Sequence, residues 1–361
     1  MNIKANLRHL CLPIAAVAAL CGCTGDDGLS AGKRSVGGAE FVVSGIAAQT
    51  RVSHSGYVSS AMEPGDELGA FVVVRTSLGD ESTLPTYGFM PGYTENARYR
   101  VVDGAYTGSD GHEYTHALQP EVPMDAFPAH QRYVFYYPYK AKADIQDFSH
   151  TVVADQSCET AFESSDLLRA RVNATTDESV VPSSIIGTDE ATGRQLIGVT
   201  MEHVMASVVL RVESQLAPTD AAGREAKLLN MYRTVSGVDL TRALSKDEQT
   251  GAGYEVAEKE TVDQGDITMW NSGQETVDNV TYEVFRAVFP AQRVEPGVAF
   301  LSFIFNGDTA AKTYKMTANG SNALVFEPGR YYMFTLAKDS GLRFNGIIDD
   351  LEDGGDYFYE Y

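Results

Sequence analysis

From Glu40 onward the chain is written in short apolar runs, each stopped by Gly, Pro, Asp or Asn. The runs fall at residues 41–43, 70–74, 133–137, 206–212, 284–289, 299–305 and 331–336. They are rich in Val, Phe, Tyr and Ile, side chains that suit a pleated, half-buried surface. Strand-length runs at this spacing predict sandwich-type β structure. Helical periodicity is weak. Residues 165–171, with Asp166 near the start, and residues 226–232 are the two candidate helices, and neither is long enough to organise a fold. The fold class expected is all-β with a few short helices.

The 361 residues suggest about two domains. Residues 173–194 are dominated by Thr, Asp, Ser, Gly and Pro around Val180-Val181-Pro182, and the boundary is placed there. The expected units are 40–180 and 190–361. No tandem repeat points to a solenoid or propeller.

Residues 1–22 read as an export signal. Lys4 and Arg8 form its charged start and residues 12–20 its apolar centre, which is too short to span a bilayer as a helix. Leu20-Cys21-Gly22-Cys23 resembles a bacterial lipobox, which implies a thioether lipid on Cys23 and a cut just before it. The mature chain then hangs from a membrane by acyl chains, palmitate among them. Thr24-Gly25-Asp26-Asp27 resembles the acidic tag that sends lipoproteins of some Gram-negative anaerobes to the outer surface. An ordinary secretory signal is the alternative. Residues 23–39 lack periodicity and read as a flexible tether.

Formal charge is −21. Removing residues 1–22, which carry Lys4 and Arg8 and no acid, leaves −23. That balance argues against nucleic-acid binding and against adhesion to anionic lipid. Cys11 and Cys21 leave with the signal. If Cys23 is lipidated, Cys158 is a lone thiol, expected to pack as a small apolar residue, and stability rests on core burial without disulfides.

Five stretches resemble the fimbrillin family, the type V pilins of Gram-negative gut and oral anaerobes. The first is Gln49-Thr50-Arg51 followed by Gly65-Asp66-Glu67-Leu68-Gly69. The second is the series Tyr136-Tyr137-Pro138-Tyr139, Asp155-Gln156-Ser157 and Asp166-Leu167-Leu168. The third is the strand-like Met201-Glu202-His203-Val204-Met205-Ala206-Ser207. The fourth is Phe285-Arg286-Ala287-Val288-Phe289-Pro290-Ala291-Gln292. The last is Ile348-Asp349-Asp350-Leu351-Glu352-Asp353-Gly354-Gly355, where Leu351 stands in place of the family's usual Trp. Read by themselves, Gly65-Asp66 is a turn signal, and Asp155, Ser157 and Asp166 are turn or cap residues. His203 sits between apolar positions and reads as a hydrogen-bonded packing residue.

The resemblance implies two tandem transthyretin-like Greek-key sandwiches and a structural role without enzyme activity or cofactor. It implies export to the outer membrane, then cleavage by a surface trypsin-like protease after a basic residue in an N-terminal loop. Loss of the first strand opens a groove that another fimbrial subunit fills. Arg51 is the expected cleavage point, with Arg34 the runner-up, and Phe41, Val42, Val43 and Ile46 are the strand to be displaced. Residues 342–348 and 357–361 are candidate donor segments, the former alternatively a strand of its own domain. A host glycan or protein is a further candidate partner. A monomeric surface lipoprotein that binds glycans is the alternative reading.

His112-Glu113-Tyr114-Thr115-His116 matches a zinc-hydrolase pattern that works only on a helix. In an extended segment its imidazoles lie about 13 Å apart, too far to share a metal. The acids at 349–353 do not follow a calcium-loop spacing. Asp308-Thr309-Ala310 resembles a short O-glycosylation motif.

Overall fold

Alternation along each run sets which face is buried, and pairing then sets which run is its neighbour. The computed structural model describes residues 39–47, 62–77, 86–89, 96–108, 111–121, 131–145, 147–174, 184–220, 223–238, 240, 255–256, 263–315, 323–337, 341–347 and 357–358. In chain order the first strands are β1 (Ala39–Ala47), β2 (Glu67–Ser77), β3 (Thr86–Phe89), β4 (Ala97–Thr107), β5 (Glu113–Pro120), β6 (Gln131–Tyr137) and β7 (Phe148–Thr151). Helix α1 (Glu159–Ser165) precedes β8 (Leu168–Ala174), β9 (Ile185–Thr188) and β10 (Gln195–His203). Then come β11 (Ala206–Glu213), β12 (Ala226–Tyr232), β13 (Thr234–Val238), β14 (Glu255–Val256), β15 (Gln264–Thr268), β16 (Trp270–Val277) and β17 (Val280–Phe289). The last are β18 (Gln292–Val294), β19 (Ala299–Phe303), β20 (Lys312–Lys315), β21 (Leu324–Phe326), β22 (Tyr331–Ala337), β23 (Gly341–Ile347) and β24 (Tyr357–Phe358).

The N-terminal ladder runs β1-β5-β4-β2-β6-β8-β10, with β9 outside β10 and β3 beside β2. It closes on itself because β1 also pairs with β10. Every second residue points inward: Leu68, Ala70 and Val72 on β2, Leu168, Ala170 and Val172 on β8, Ile197, Val199 and Met201 on β10. Closure leaves these strands without the open edges that invite stray pairing. The ladder takes in β9 and β10 and so continues to His203, past the composition break at 173–194.

The C-terminal half is a six-stranded sheet, β16-β17-β11-β22-β23-β24, facing a four-stranded sheet, β15-β12-β19-β20. Phe285 meets Phe303 at 5.6 Å and Phe300 meets Phe334 at 5.5 Å between ring centres. Strand β11 is buried on both faces, which is why residues 206–212 read as an unbroken apolar run. All-β sandwich architecture is therefore what the sequence pattern specifies.

Both expected helices are strands or lie beside one. The helix near Asp166 ends at Ser165, and residues 168–174 form β8. Residues 226–232 form β12, pinned between β15 and β19. In β8 the period of two was masked by the buried charge of Arg169 and in β12 it is broken by a bulge between Leu228 and Met231, so pairing decided the state and not local periodicity. Cys158 also departs from expectation: it is exposed, at the position just before α1.

Two glutamines, Gln156 in a loop and Gln292 at the start of β18, bind the backbone of other strands. Gln156 is fully buried and treats Val288 as a strand neighbour would: its Nε2 donates to the Val288 carbonyl at 2.7 Å and its Oε1 accepts from Val288 N–H at 2.9 Å. Gln292 does the same for Tyr232, at 3.1 and 2.9 Å. Strand β7 pairs with β13, so the halves share one continuous core in which Phe148 and Tyr136 pack at 4.9 Å.

Gly69 has a steric reason. It lies opposite Tyr136, whose ring crosses it, and a Cβ there would come within 2.0 Å of the ring. The ring is held by its hydroxyl, which donates to Asn96 Oδ1 at 2.6 Å. Gly69→Ala is expected to lower stability by about 1–3 kcal/mol through overpacking, read as a drop in the urea midpoint.

His150 is buried and its Nε2 donates to the Ser165 carbonyl at 2.9 Å. Burial, with Lys140 nearby, pushes its pKa down to about 4. The unfolded chain takes that proton near pH 6.5. Between pH 6.5 and about 4 the unfolded state binds more protons, so stability falls as pH falls. His150→Gln is expected to flatten the stability profile across that window, measured by urea unfolding at several pH values.

Candidate functional site: the seat of the first strand

The chain begins its described structure with a strand that belongs to the interior. Strand β1 runs parallel to β10 from Ala39↔Gln195 to Ala47↔Glu202, with a register shift between Val43 and Gly45. On its other side Val42 pairs with Ala117 of β5. Parallel neighbours need a long crossover between them, and here most of the N-terminal half separates the two strands.

Phe41 turns into the main N-terminal core and is 4% exposed. Its ring meets Tyr133 at 4.7 Å, Phe135 at 5.1 Å and Tyr99 at 6.1 Å, each edge to face. The electron-poor edge of one ring against the face of another is the preferred aromatic geometry. Burial pushes the Tyr99 hydroxyl well above its ordinary pKa, so this cage is uncharged at any physiological pH. Val42 points the opposite way, is wholly buried, and packs with Tyr114 and Leu196. Val43 packs partly buried against the main N-terminal core. A strand buried on both faces and paired on both edges is a central strand.

Polar contacts fix its position along the groove. Glu40 pairs with Arg194, which stands just before β10. The Tyr106 hydroxyl donates to the same carboxylate, and burial together with that negative partner pushes the Tyr106 pKa up to about 12. Further along, Ser44 Oγ and Thr200 Oγ1 are 2.7 Å apart. A Cβ on Gly198 would meet Ile186 at 3.1 Å and Ser44 Oγ at 3.3 Å, so the bare backbone there lets the strand lie close.

Of the sequence-designated residues, Phe41, Val42, Val43 and Ile46 all lie on β1, with Ile46 paired to Met201. Cys23, Arg34 and Arg51 lie outside the described residues, as do the acids at 349–353. Residues 341–347 form β23 on β22, so that candidate donor segment is a strand of its own domain, and Tyr357 and Phe358 pair with its outer edge. His116 sits within strand β5 and His112 immediately before it, an extended arrangement that does not bring two imidazoles to one ion. Thr309 lies in an exposed turn.

His203 is a packing residue with both nitrogens engaged. Asp166 Oδ2 accepts from Nδ1 at 2.7 Å, and the Tyr331 hydroxyl meets Nε2 at 3.0 Å. The trio resembles a catalytic relay in composition only, because all three side chains are buried and the opening that Asp166 borders, beside Tyr137 and Leu168, holds only about 50 Å³. Its effect is to join β8, β10 and β22 at the end of the strand that seats β1.

The cage residues Tyr99, Tyr133 and Phe135, and the Glu40 partners Arg194 and Tyr106, were missed by sequence reading. The aromatic alternation of residues 133–137 was a visible signal for the cage. Nothing local links Arg194 or Tyr106 to Glu40.

The fold and this seat together define an all-β sandwich protein with an inserted first strand. Residues 50–348 match the Fimbrillin-like family model, and the chain belongs to that family. It is a structural, fimbrial-type protein of the cell surface that associates with other fimbrial subunits, and not an enzyme. Among solved structures, a candidate cell adhesion protein from Bacteroides ovatus is 14% identical with a TM-score of 0.51, over 86% of this chain and 97% of its own. A candidate cell adhesion protein from Bacteroides uniformis is 16% identical with a TM-score of 0.46, over 86% and 97%. A fimbrial protein from Bacteroides ovatus is 15% identical with a TM-score of 0.40, over 84% of this chain and 49% of its own. No curated protein matches the chain.

Phe41→Ala is expected to cost about 3–5 kcal/mol by emptying the aromatic cage. Val43→Ala, at a half-buried position, is expected to cost less than half of that. Thermal melts of both variants against the parent check the ordering.

Proposed function

We propose that this chain is a fimbrial subunit exported as a lipoprotein, clipped at the cell surface and polymerised by strand exchange in the service of adhesion. Cys23 carries the acyl chains that hold the precursor on the outer membrane. A trypsin-like surface protease cuts after Arg51, with Arg34 as the alternative. Cutting at Arg51 detaches Cys23 and β1 together, whereas cutting at Arg34 frees the lipid and leaves β1 behind. The chain comprises two tandem transthyretin-like sandwiches, the first running to β10 and the second starting at β11.

The observation that carries this reading is the position of β1. It is a central strand by burial and pairing, yet it is the first described strand and lies on the tether side of Arg51. Its departure exposes one edge of β10, the β5 edge at Ala117, and the cage around Phe41. Unpaired N–H and C=O groups beside an apolar trough are costly in water, and an incoming strand satisfies both. While β1 stays in place the same surface is blocked, so the precursor does not assemble inside the envelope.

Limited digestion of the mature chain by a trypsin-like protease is expected to yield a new N-terminus at Val52, followed by oligomers on size exclusion. Arg51→Gln is expected to remain uncut at that point and monomeric. A chain that loses residues 23–51 and still elutes as a stable monomer overturns strand exchange. Radiolabelled palmitate is expected to enter the wild type and not Cys23→Ala.

A further inference from the structure

The seat of β1 holds more than a generic apolar trough. Its polar and aromatic contacts fall on adjacent residues and point to opposite requirements. Glu40 meets a cation and a hydroxyl at the mouth of the groove. One residue on, Phe41 enters a cage of three rings. The next residue, Val42, is sealed on the far face beside Leu196 and Tyr114. Alternation fixes this spacing, because neighbouring side chains of a strand leave on opposite faces. A one-residue slip would drive the carboxylate into the cage and the ring towards Arg194.

We propose that the vacated seat selects its occupant by a two-point code: an acidic residue for Arg194 and Tyr106, directly followed by an aromatic residue for the cage of Tyr99, Tyr133 and Phe135. The occupant is an extended segment of a partner fimbrial subunit running parallel to β10. This rests on the strand-exchange reading and adds which partner strands are accepted. The aromatic residue supplies affinity, since a deep ring is the part of the contact that excludes water. The acid supplies register and rejection, since a lysine at that point would face Arg194 across a partly dry groove. Arg194 is 51% exposed, so its contribution is to selection more than to raw affinity.

The test uses the mature chain clipped after Arg51 and a fluorescent peptide with the sequence of residues 39–47, exchanged into the vacated seat and followed by anisotropy. The peptide with Phe41→Ala is expected to bind about a hundredfold more weakly, and Phe41→Tyr to bind within a few fold of the parent. The peptide with Glu40→Lys is expected to lose about fivefold on the parent chain, and to recover that loss on an Arg194→Glu chain, where the unaltered peptide now loses. Recovery by charge exchange cannot come from a merely folded or unfolded groove. If all peptides bind equally well, the code is overturned while strand exchange stands. If not even the unaltered peptide enters the clipped chain, both are overturned.

Discussion

The parallel contact between β1 and β10 is the constraint on which the N-terminal half depends. Without it the ladder from β5 round to β10 is an open sheet with two exposed edges. With it, seven strands form a ring around one core. A parallel strand cannot reach its neighbour through a tight turn, so the contact depends on almost all of the N-terminal chain being folded first. That makes β1 the strand whose pairing closes the ring once the rest of the ladder is in place. Within β1, Phe41 and Val42 are buried as deeply as the core, while Val43 is half-buried and Ser44 exposed.

Polar groups in this molecule act mainly as substitutes for backbone pairing. Gln156 and Gln292 each engage both the N–H and the C=O of one residue, which is what a neighbouring strand would do. The Asp166–His203–Tyr331 trio ties the turn before β8 to β10 and links β10 to β22, which belongs to a different sheet. Buried polar groups left unmatched cost more than matched ones contribute, so each of these is an all-or-none feature. The two glutamines act in the C-terminal sheets, whereas Phe41 of β1 is gripped by the aromatic rings of Tyr99, Tyr133 and Phe135. The net charge of −21 favours mutual repulsion between free copies.

Much of the fold was legible because apolar runs and their stops are local signals. Residues 41–43, 70–74, 133–137, 206–212, 284–289 and 331–336 all fall within strands where the pattern placed them. Reading failed where a buried charge or a bulge disguised the period. Arg169 in β8 is wholly buried yet reads as a surface residue, and β12 carries its lysine and asparagine between core positions. Cys158 misled in the other direction: its type suggests burial, but its place just before α1 leaves it exposed.

By itself, then, the chain determined its class and its alphabet: all-β, acidic, punctuated by turns, with Gly65-Asp66 where the backbone must bend. Turn chemistry and side-chain alternation act over a few residues and need no knowledge of distant neighbours. Only the tertiary structure decided that β1 lies parallel to β10, that Phe41 ends in a cage drawn from β4 and β6, and that Glu40 meets Arg194 from 154 positions away. Those contacts depend on how seven strands close into a ring, and ring closure is a property of the whole ladder that no local window contains.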